Sequence, residues 1–149
     1  ETYQVGEGRN LYWKEAYAVI QDHPWFGVGL NCYSEVAPNY KISWGGYVHN
    51  CYLQMAAEIG IAGLLAFLGM IGWIFARGLQ SFRRLTDPWL HAALAGVMSG
   101  LVGFLSHSFT DTNMYSVQLG QLMWILMAMI VAIVKTDCVE QQDEFQADQ

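Results

Sequence analysis

Three stretches of the chain, residues 59–76, 88–110 and 112–134, contain no formally charged residue. A bilayer core of about 30 Å is crossed by roughly 20 apolar residues at about 1.5 Å rise each. The pattern therefore predicts three transmembrane helices, at about 52–76, 88–110 and 114–134. The second has a clean start, with Asp87 as N-cap and Pro88 at the first helical position. Small residues stud the spans, Gly60, Gly63, Gly69 and Gly72 in the first and Gly96, Gly100 and Gly103 in the second. Glycine rows of this kind let helix backbones approach closely where lipid gives no hydrophobic drive, so tight bundle packing is the expectation.

The part before the first span has a different texture. Residues 10–22 read as a helix with Tyr12, Ala16, Val19 and Ile20 on one face. It must stop near His23, because Pro24 cannot continue a helix and disfavours helix in the residue before it. Trp13, Tyr17, Trp25 and Tyr47 carry amphipathic rings suited to a membrane interface, so this helix is expected to lie on the outer surface. Gly27, Gly29, Gly45 and Gly46 mark turns. Beyond Val134 the apolar pattern gives way to a polar tail, expected to be frayed.

Composition narrows the class. Of the 149 residues 54% are hydrophobic and only 13% charged, about half the charge of a typical soluble domain. That balance excludes a disordered chain, a nucleic-acid-binding module and most small soluble enzymes. The net charge of −6 does not point to a basic partner, because much of the acid sits in residues 137–148. Three cysteines are too few for a disulfide scaffold. The chain opens on Glu1 without a charged-then-apolar leader, and reads as a piece of something longer. Arg77, Arg83 and Arg84 follow the first span, whereas the connection between the second and third has no basic residue. The positive-inside rule then puts that first connection in the cytoplasm, residues 1–50 outside and the acidic tail, 135–149, inside, with Lys135 in agreement.

The informative polar residues lie where the first span begins. Asn50, Gln54 and Glu58 recur every four residues and share one helix face. A carboxylate about two turns inside the span costs several kcal/mol unless it pairs, protonates or meets a wet cavity. The stripe therefore faces protein or a cavity, either as interhelical hydrogen bonding or as substrate contact. His49 stands just outside, with the chemistry of a general base or of a purely structural interfacial histidine. His107 and Asp111, four apart, can pair with each other; a metal site built from His49, His107 and Asp111 has no supporting ligand spacing. Arg9 presents a planar fork of donors that suits a phosphate, or else a solvated charge, and Lys14 and Lys41 share the ambiguity. Cys32 and Cys51 both fall outside, where a disulfide can form, while Cys138 falls inside and is expected to be free. There is no Gly-rich phosphate loop, G-x-S-x-G or C-x-x-C.

Read together, Arg9 with WKEAYAVIQDHPWFGVGLNCY and then VHNCYLQMAAEIGIAGLLAFL resemble the C-terminal half of bacterial O-antigen ligases and related polysaccharide polymerases. The shared features are an arginine and a tryptophan opening a helix, a HPWFGVG turn, and HN-x-YLQ-x-x-x-E-x-G-x-x-G entering a span. The resemblance reaches over residues 7–134, more weakly through the spans.

It implies an all-α integral membrane protein: three transmembrane helices plus an outer amphipathic helix, the C-terminal part of a multi-pass bundle of the GT-C type. It implies a metal-independent glycosyltransferase of the bacterial inner membrane, without cofactor. Such an enzyme moves a glycan from an undecaprenyl-diphosphate carrier to an acceptor hydroxyl on the periplasmic face. The acceptor is the lipid A core in ligases, another glycan in polymerases and a protein side chain in protein O-oligosaccharyltransferases. Partners are thus the lipid-linked donor, the acceptor and membrane lipid, with no nucleic acid. His49 matches the family's functional histidine, a general base or a diphosphate contact. Arg9 matches a functional arginine that would hold the diphosphate, with Asn50, Gln54 and Glu58 as substrate-binding candidates. A second family arginine belongs to an earlier periplasmic loop and is absent here, so the chain alone is not expected to be active. A transporter reading would use Glu58, His107 and Asp111 as a polar pathway. A non-catalytic scaffold would leave Arg9 and His49 without roles.

Overall fold

The computed structural model describes the backbone of residues 5–42 and 46–147 and the side chains of 9–42 and 46–137. The turn expected at Gly45 and the state of Cys138 lie outside these described residues. Within them all regular structure is helical, with no strand. In order it forms α1 (Val5–Asp22), α2 (Tyr33–Val36), a 3-10 turn at Ala37–Tyr40, α3 (Cys51–Phe82), α4 (Pro88–His107), a 3-10 turn at Asn113–Tyr115, and α5 (Val117–Ala147). Three helices are long and apolar enough to cross a membrane: Cys51–Phe82, Pro88–His107 and Val117–Asp137.

The chain divides into two compact units, and the boundary falls within α3 between Leu68 and Gly69. The first unit holds the described residues up to Leu68 together with Ser106–Val117. Its core is Ala16 and Val19 of α1, Tyr33, Ala37, Val48 and Ala57, with Ile20, Val28, Tyr40 and Leu53 packed against it. The apolar face read from the sequence of α1 is thus buried against protein, at about 1.5–3 kcal/mol for a fully enclosed large aliphatic side chain. α1 starts earlier than its apolar pattern, so Arg9 lies within the helix and is exposed rather than preceding it. It ends at Asp22, where Pro24 requires.

One break in α3 organises this unit. Gly60 has φ 75° and ψ 173°, a conformation essentially reserved for glycine. The break frees backbone groups that a continuous helix would pair internally, and residues 24–29 take three of them. Val28 N–H donates to the Ala57 carbonyl at 2.9 Å and Gly29 N–H to the Glu58 carbonyl at 2.9 Å, while Ile61 N–H reaches the Pro24 carbonyl at 2.8 Å. A Cβ on Gly60 would overlap the Trp25 backbone, and one on Gly27 would overlap the Glu58 backbone. Gly60 therefore serves a broken helix and a docked turn, not the helix–helix packing expected of it. The physical reason is local: the backbone of the HPWFGVG turn lies against that of α3, and only hydrogen as a side chain leaves room.

In the second unit, Gly69–Leu105 and Gln118–Gln149, the described residues pack α4 and α5 with the end of α3. Leu94, Leu101, Met127 and Ile130 are buried there. Ser81 Oγ donates to the buried Asp137 carboxylate at 2.9 Å. Here too the glycine expectation needs correcting. Gly78 does meet Met98 and Ile130, and Gly100 has ordinary contact with Leu126 at 3.9 Å. Gly69, Gly72, Gly96 and Gly103, however, face open space in this chain. The start of α4 follows the cap expected of it, Asp87 accepting from Trp89 N–H at 2.8 Å.

Two helices outrun their apolar runs. α3 continues to Phe82, so Arg77 is an exposed helical residue and not part of a loop. α5 continues to Ala147 where fraying was expected. Hydropathy stops at the membrane boundary, but a helix stops at glycine, proline or a cap, and residues 135–147 contain no glycine or proline.

Candidate functional site

The candidate residues gather where α3 begins, inside the first unit. Asn50 is the N-cap: its Oδ1 accepts from Tyr52 N–H and Leu53 N–H, both at 3.0 Å. Cys51 N–H goes to the Ser108 carbonyl at 2.9 Å. The first three N–H groups of α3 are thus all taken by the protein, so this helix end does not offer them to an anion. Charge recognition here must come from side chains.

His49 immediately precedes the cap with φ 54°, a left-handed position uncommon for a side-chain-bearing residue. The flanking Val48 and Asn50 are buried, which forces the imidazole outward. It is 45% exposed, with Nδ1 3.8 Å from Asp111 Oδ1. The Tyr12 ring of α1 meets it edge-on, centroids 6.0 Å apart. Asp111 therefore faces His49 rather than pairing simply with His107. Its carboxyl is held below the usual carboxylate range chiefly by the Thr112 N–H at 2.7 Å, helped by His107 and His49. Arg9 lies one helical turn before Tyr12, on the exposed side of α1.

Behind the histidine lies a buried polar chain. Gln54 and Glu58 are 2% and 1% exposed. Gln54 Nε2 donates to Glu58 Oε1 at 3.3 Å, and Gln54 Oε1 accepts from Val48 N–H at 3.3 Å. Glu58 Oε2 accepts from Asn31 N–H at 2.9 Å and from the Tyr115 hydroxyl at 3.0 Å. Burial, and then the Glu58 carboxylate, push the Tyr115 hydroxyl well above its ordinary value, so it stays protonated and donating. The spacing of four found in the sequence does bring Gln54 and Glu58 together. Their partners Asn31 and Tyr115 come from distant segments that no periodicity connects.

A second buried carboxylate escaped sequence reading. Glu15 is fully buried on α1 and accepts from the Tyr33 hydroxyl at 3.4 Å. Burial, then Glu15, raise the Tyr33 hydroxyl far above its ordinary value. The signal lay in the apolar face itself, since Glu15 sits beside Ala16 and one turn before Val19.

Cys32 and Cys51 are both free. The Cys51 thiol lies 3.2 Å from both the Asp111 carbonyl and Asn113 Oδ1, and Cys32 Sγ lies 3.6 Å from the Leu30 carbonyl. The expected opportunity for a bridge is not used, because each sulfur is turned to its own local acceptors. Among the described residues no group of three His, Cys, Asp or Glu side chains is arranged to hold a metal ion.

Three helices able to span a membrane mark a multi-pass membrane protein, and the candidate site, a histidine–carboxylate pair, lies where α3 begins. Residues 3–68 match the sequence model of the family described as O-antigen ligase. Over that segment the resemblance to the C-terminal portion of O-antigen ligases and polymerases is borne out, and it ends at Leu68, where the first unit leaves α3. The match supports a function of the ligase or polymerase kind, in a glycosyltransferase-like family that works on lipid-linked glycans and their acceptors. No curated protein and no solved structure matches the chain.

Proposed function

We propose that this chain carries the acceptor-activating part of a membrane glycosyltransferase. The enzyme would move a glycan from an undecaprenyl-diphosphate carrier to an acceptor hydroxyl on the periplasmic face of the bacterial inner membrane. The single observation that carries the reading is the placement of His49, outward-facing and half-exposed, with its Nδ1 toward Asp111. A general base needs one nitrogen free for substrate and a partner for the proton-bearing form on the other.

In the proposed step the acceptor hydroxyl gives its proton to His49 Nε2 as its oxygen attacks the anomeric carbon. The bond from that carbon to the diphosphate oxygen breaks, and its electron pair leaves with the diphosphate. Asp111 steadies the imidazolium through Nδ1–H. Arg9, one turn from the tyrosine that touches His49, neutralises the departing charge. A diphosphate leaves readily, so no separate acid is required. Asn50, Gln54 and Glu58 serve as positioning residues in this reading. Asn50 Oδ1, both polar ends of Gln54 and both Glu58 oxygens engage protein groups, and together they fix the backbone on either side of His49. The same engagement speaks against a transporter, since Glu58 is enclosed by three donors. With residues 1–50 periplasmic and 135–149 cytoplasmic, the site lies on the face of the proposed transfer.

The test compares transfer from an undecaprenyl-diphosphate-linked glycan by the full-length protein in detergent with chelator, as wild type, His49→Ala and Arg9→Ala. Loss of transfer in both variants, with the wild type active, supports the reading. Unimpaired transfer in both removes His49 and Arg9 from the site.

A further inference from the structure

The thiol of Cys51 has no part in the step proposed above, yet its contacts converge on the segment that carries Asp111. Cys51 is the first residue of α3 and is fully buried. A side chain there leans back over the start of its own helix, toward the chain between α4 and α5. Its Sγ lies 3.2 Å from the Asp111 carbonyl and 3.2 Å from Asn113 Oδ1, while Met114 N–H donates to it at 3.4 Å. The backbone adds a fourth tie, Cys51 N–H to the Ser108 carbonyl at 2.9 Å. Asn113 is held from a second side as well, its Oδ1 accepting from the Ser108 hydroxyl at 2.8 Å. All of these groups belong to the first compact unit.

We propose that Cys51 is a positioning residue, whose thiol clamps the segment 111–114 so that the Asp111 carboxylate stands opposite His49 Nδ1. The inference rests on the glycosyltransferase reading above. The Asp111 side chain is 53% exposed, and its Oδ1 accepts from the neighbouring Thr112 N–H. Its aim at His49 therefore depends on where the backbone of residue 111 is held, and the carbonyl of that residue is held by the thiol. Cys51 follows His49 by two residues. One short stretch thus carries the imidazole and grips the segment opposite, which ties base and carboxylate to a common point.

A thiol suits this task. Its S–H can be shared between two acceptors while the sulfur accepts from an N–H. A buried cysteine that only filled space would need no polar partners. This one has three, all within residues 111–114. Misplacing a catalytic group by about 1 Å can cost up to about 100-fold in rate, so a loosened clamp should be felt in kcat.

The experiment measures kcat and KM for transfer by the full-length protein. Cys51→Ala, Cys51→Ser and Ser108→Ala are each made alone and in the Asp111→Asn background. Cys51→Ala is expected to lower kcat about tenfold, with KM within about twofold. Cys51→Ser keeps a donor and an acceptor at the position and should recover most of kcat. Ser108→Ala loosens Asn113 alone and should lower kcat about threefold; it carries the test should Cys51→Ala not fold. With Asp111→Asn no charge is left to aim, so each variant should then change kcat by less than about twofold. A purely structural thiol would lower kcat by the same factor in both backgrounds, and that result overturns the proposal. Wild-type kcat in Cys51→Ala and Ser108→Ala overturns it too. Wild-type kcat in Asp111→Asn itself is a different result, the failure of the His49–Asp111 pairing, and absence of transfer by the wild type is the failure of the glycosyltransferase reading.

Discussion

His49 Nδ1 and Asp111 Oδ1 face each other at 3.8 Å although the whole of α3 and α4 separates them in the chain. The contact exists because the segment after α4 returns to the start of α3, where Cys51 N–H binds the Ser108 carbonyl. Asp111→Asn keeps the shape and removes the charge, and is expected to lower kcat for transfer by roughly 10- to 100-fold with little change in KM. Steady-state kinetics of the full-length variant checks this, and a pure KM effect would contradict it.

The same carboxylate sets a pH dependence. Its pKa is depressed in the folded protein, first by the Thr112 N–H and then by His107 and His49. A depressed carboxylate contributes stability that is present above its unfolded pKa, about 3.9, and is lost as pH falls through the lower folded value. The stability difference between wild type and Asp111→Asn should therefore be present at about pH 5 and shrink as pH falls below the unfolded value. Both partners are about half exposed, so the plateau should be small, about 1 kcal/mol or less. Thermal unfolding in detergent across that range measures it.

Gly60→Ala should destabilise strongly, by about 2–4 kcal/mol, since it combines a glycine-only conformation with overlap on the Trp25 backbone. Gly72→Ala provides the control. Its added methyl meets nothing within 4 Å in this chain, and mid-helix alanine is favoured over glycine by about 1 kcal/mol. Opposite signs of the two shifts in Tm are the expected outcome.

Tyr115→Phe removes one of the three donors to Glu58 and should cost about 1–3 kcal/mol, the range for leaving a buried polar group short of a partner. Glu58→Gln should cost a similar amount, because its amide end meets donors instead of acceptors. The double variant should cost clearly less than the sum, as a double-mutant cycle of unfolding free energies would show.

Thiol reactivity checks the free cysteines. A maleimide reagent should label Cys32 in the native protein and reach the buried Cys51 only after unfolding. A Cys32–Cys51 bridge in non-reduced peptide maps would overturn that assignment.

Much of this was legible in one dimension because its cause is local. Three uncharged runs dictate three long helices, Pro24 ends α1, Asp87 with Pro88 starts α4, and a spacing of four brings Gln54 to Glu58. Each follows from backbone geometry and side-chain chemistry within a few residues. Sequence pattern misjudged Gly60, since a glycine in an apolar run looks the same whether it admits a neighbouring helix or breaks its own. Nor did it foresee Asp111 beside His49, Asn31 and Tyr115 on Glu58, or Glu15 inside the core. Those are meetings of segments far apart in the chain. Helical periodicity says which face a residue occupies, but only the closing of the chain on itself decides which groups meet there.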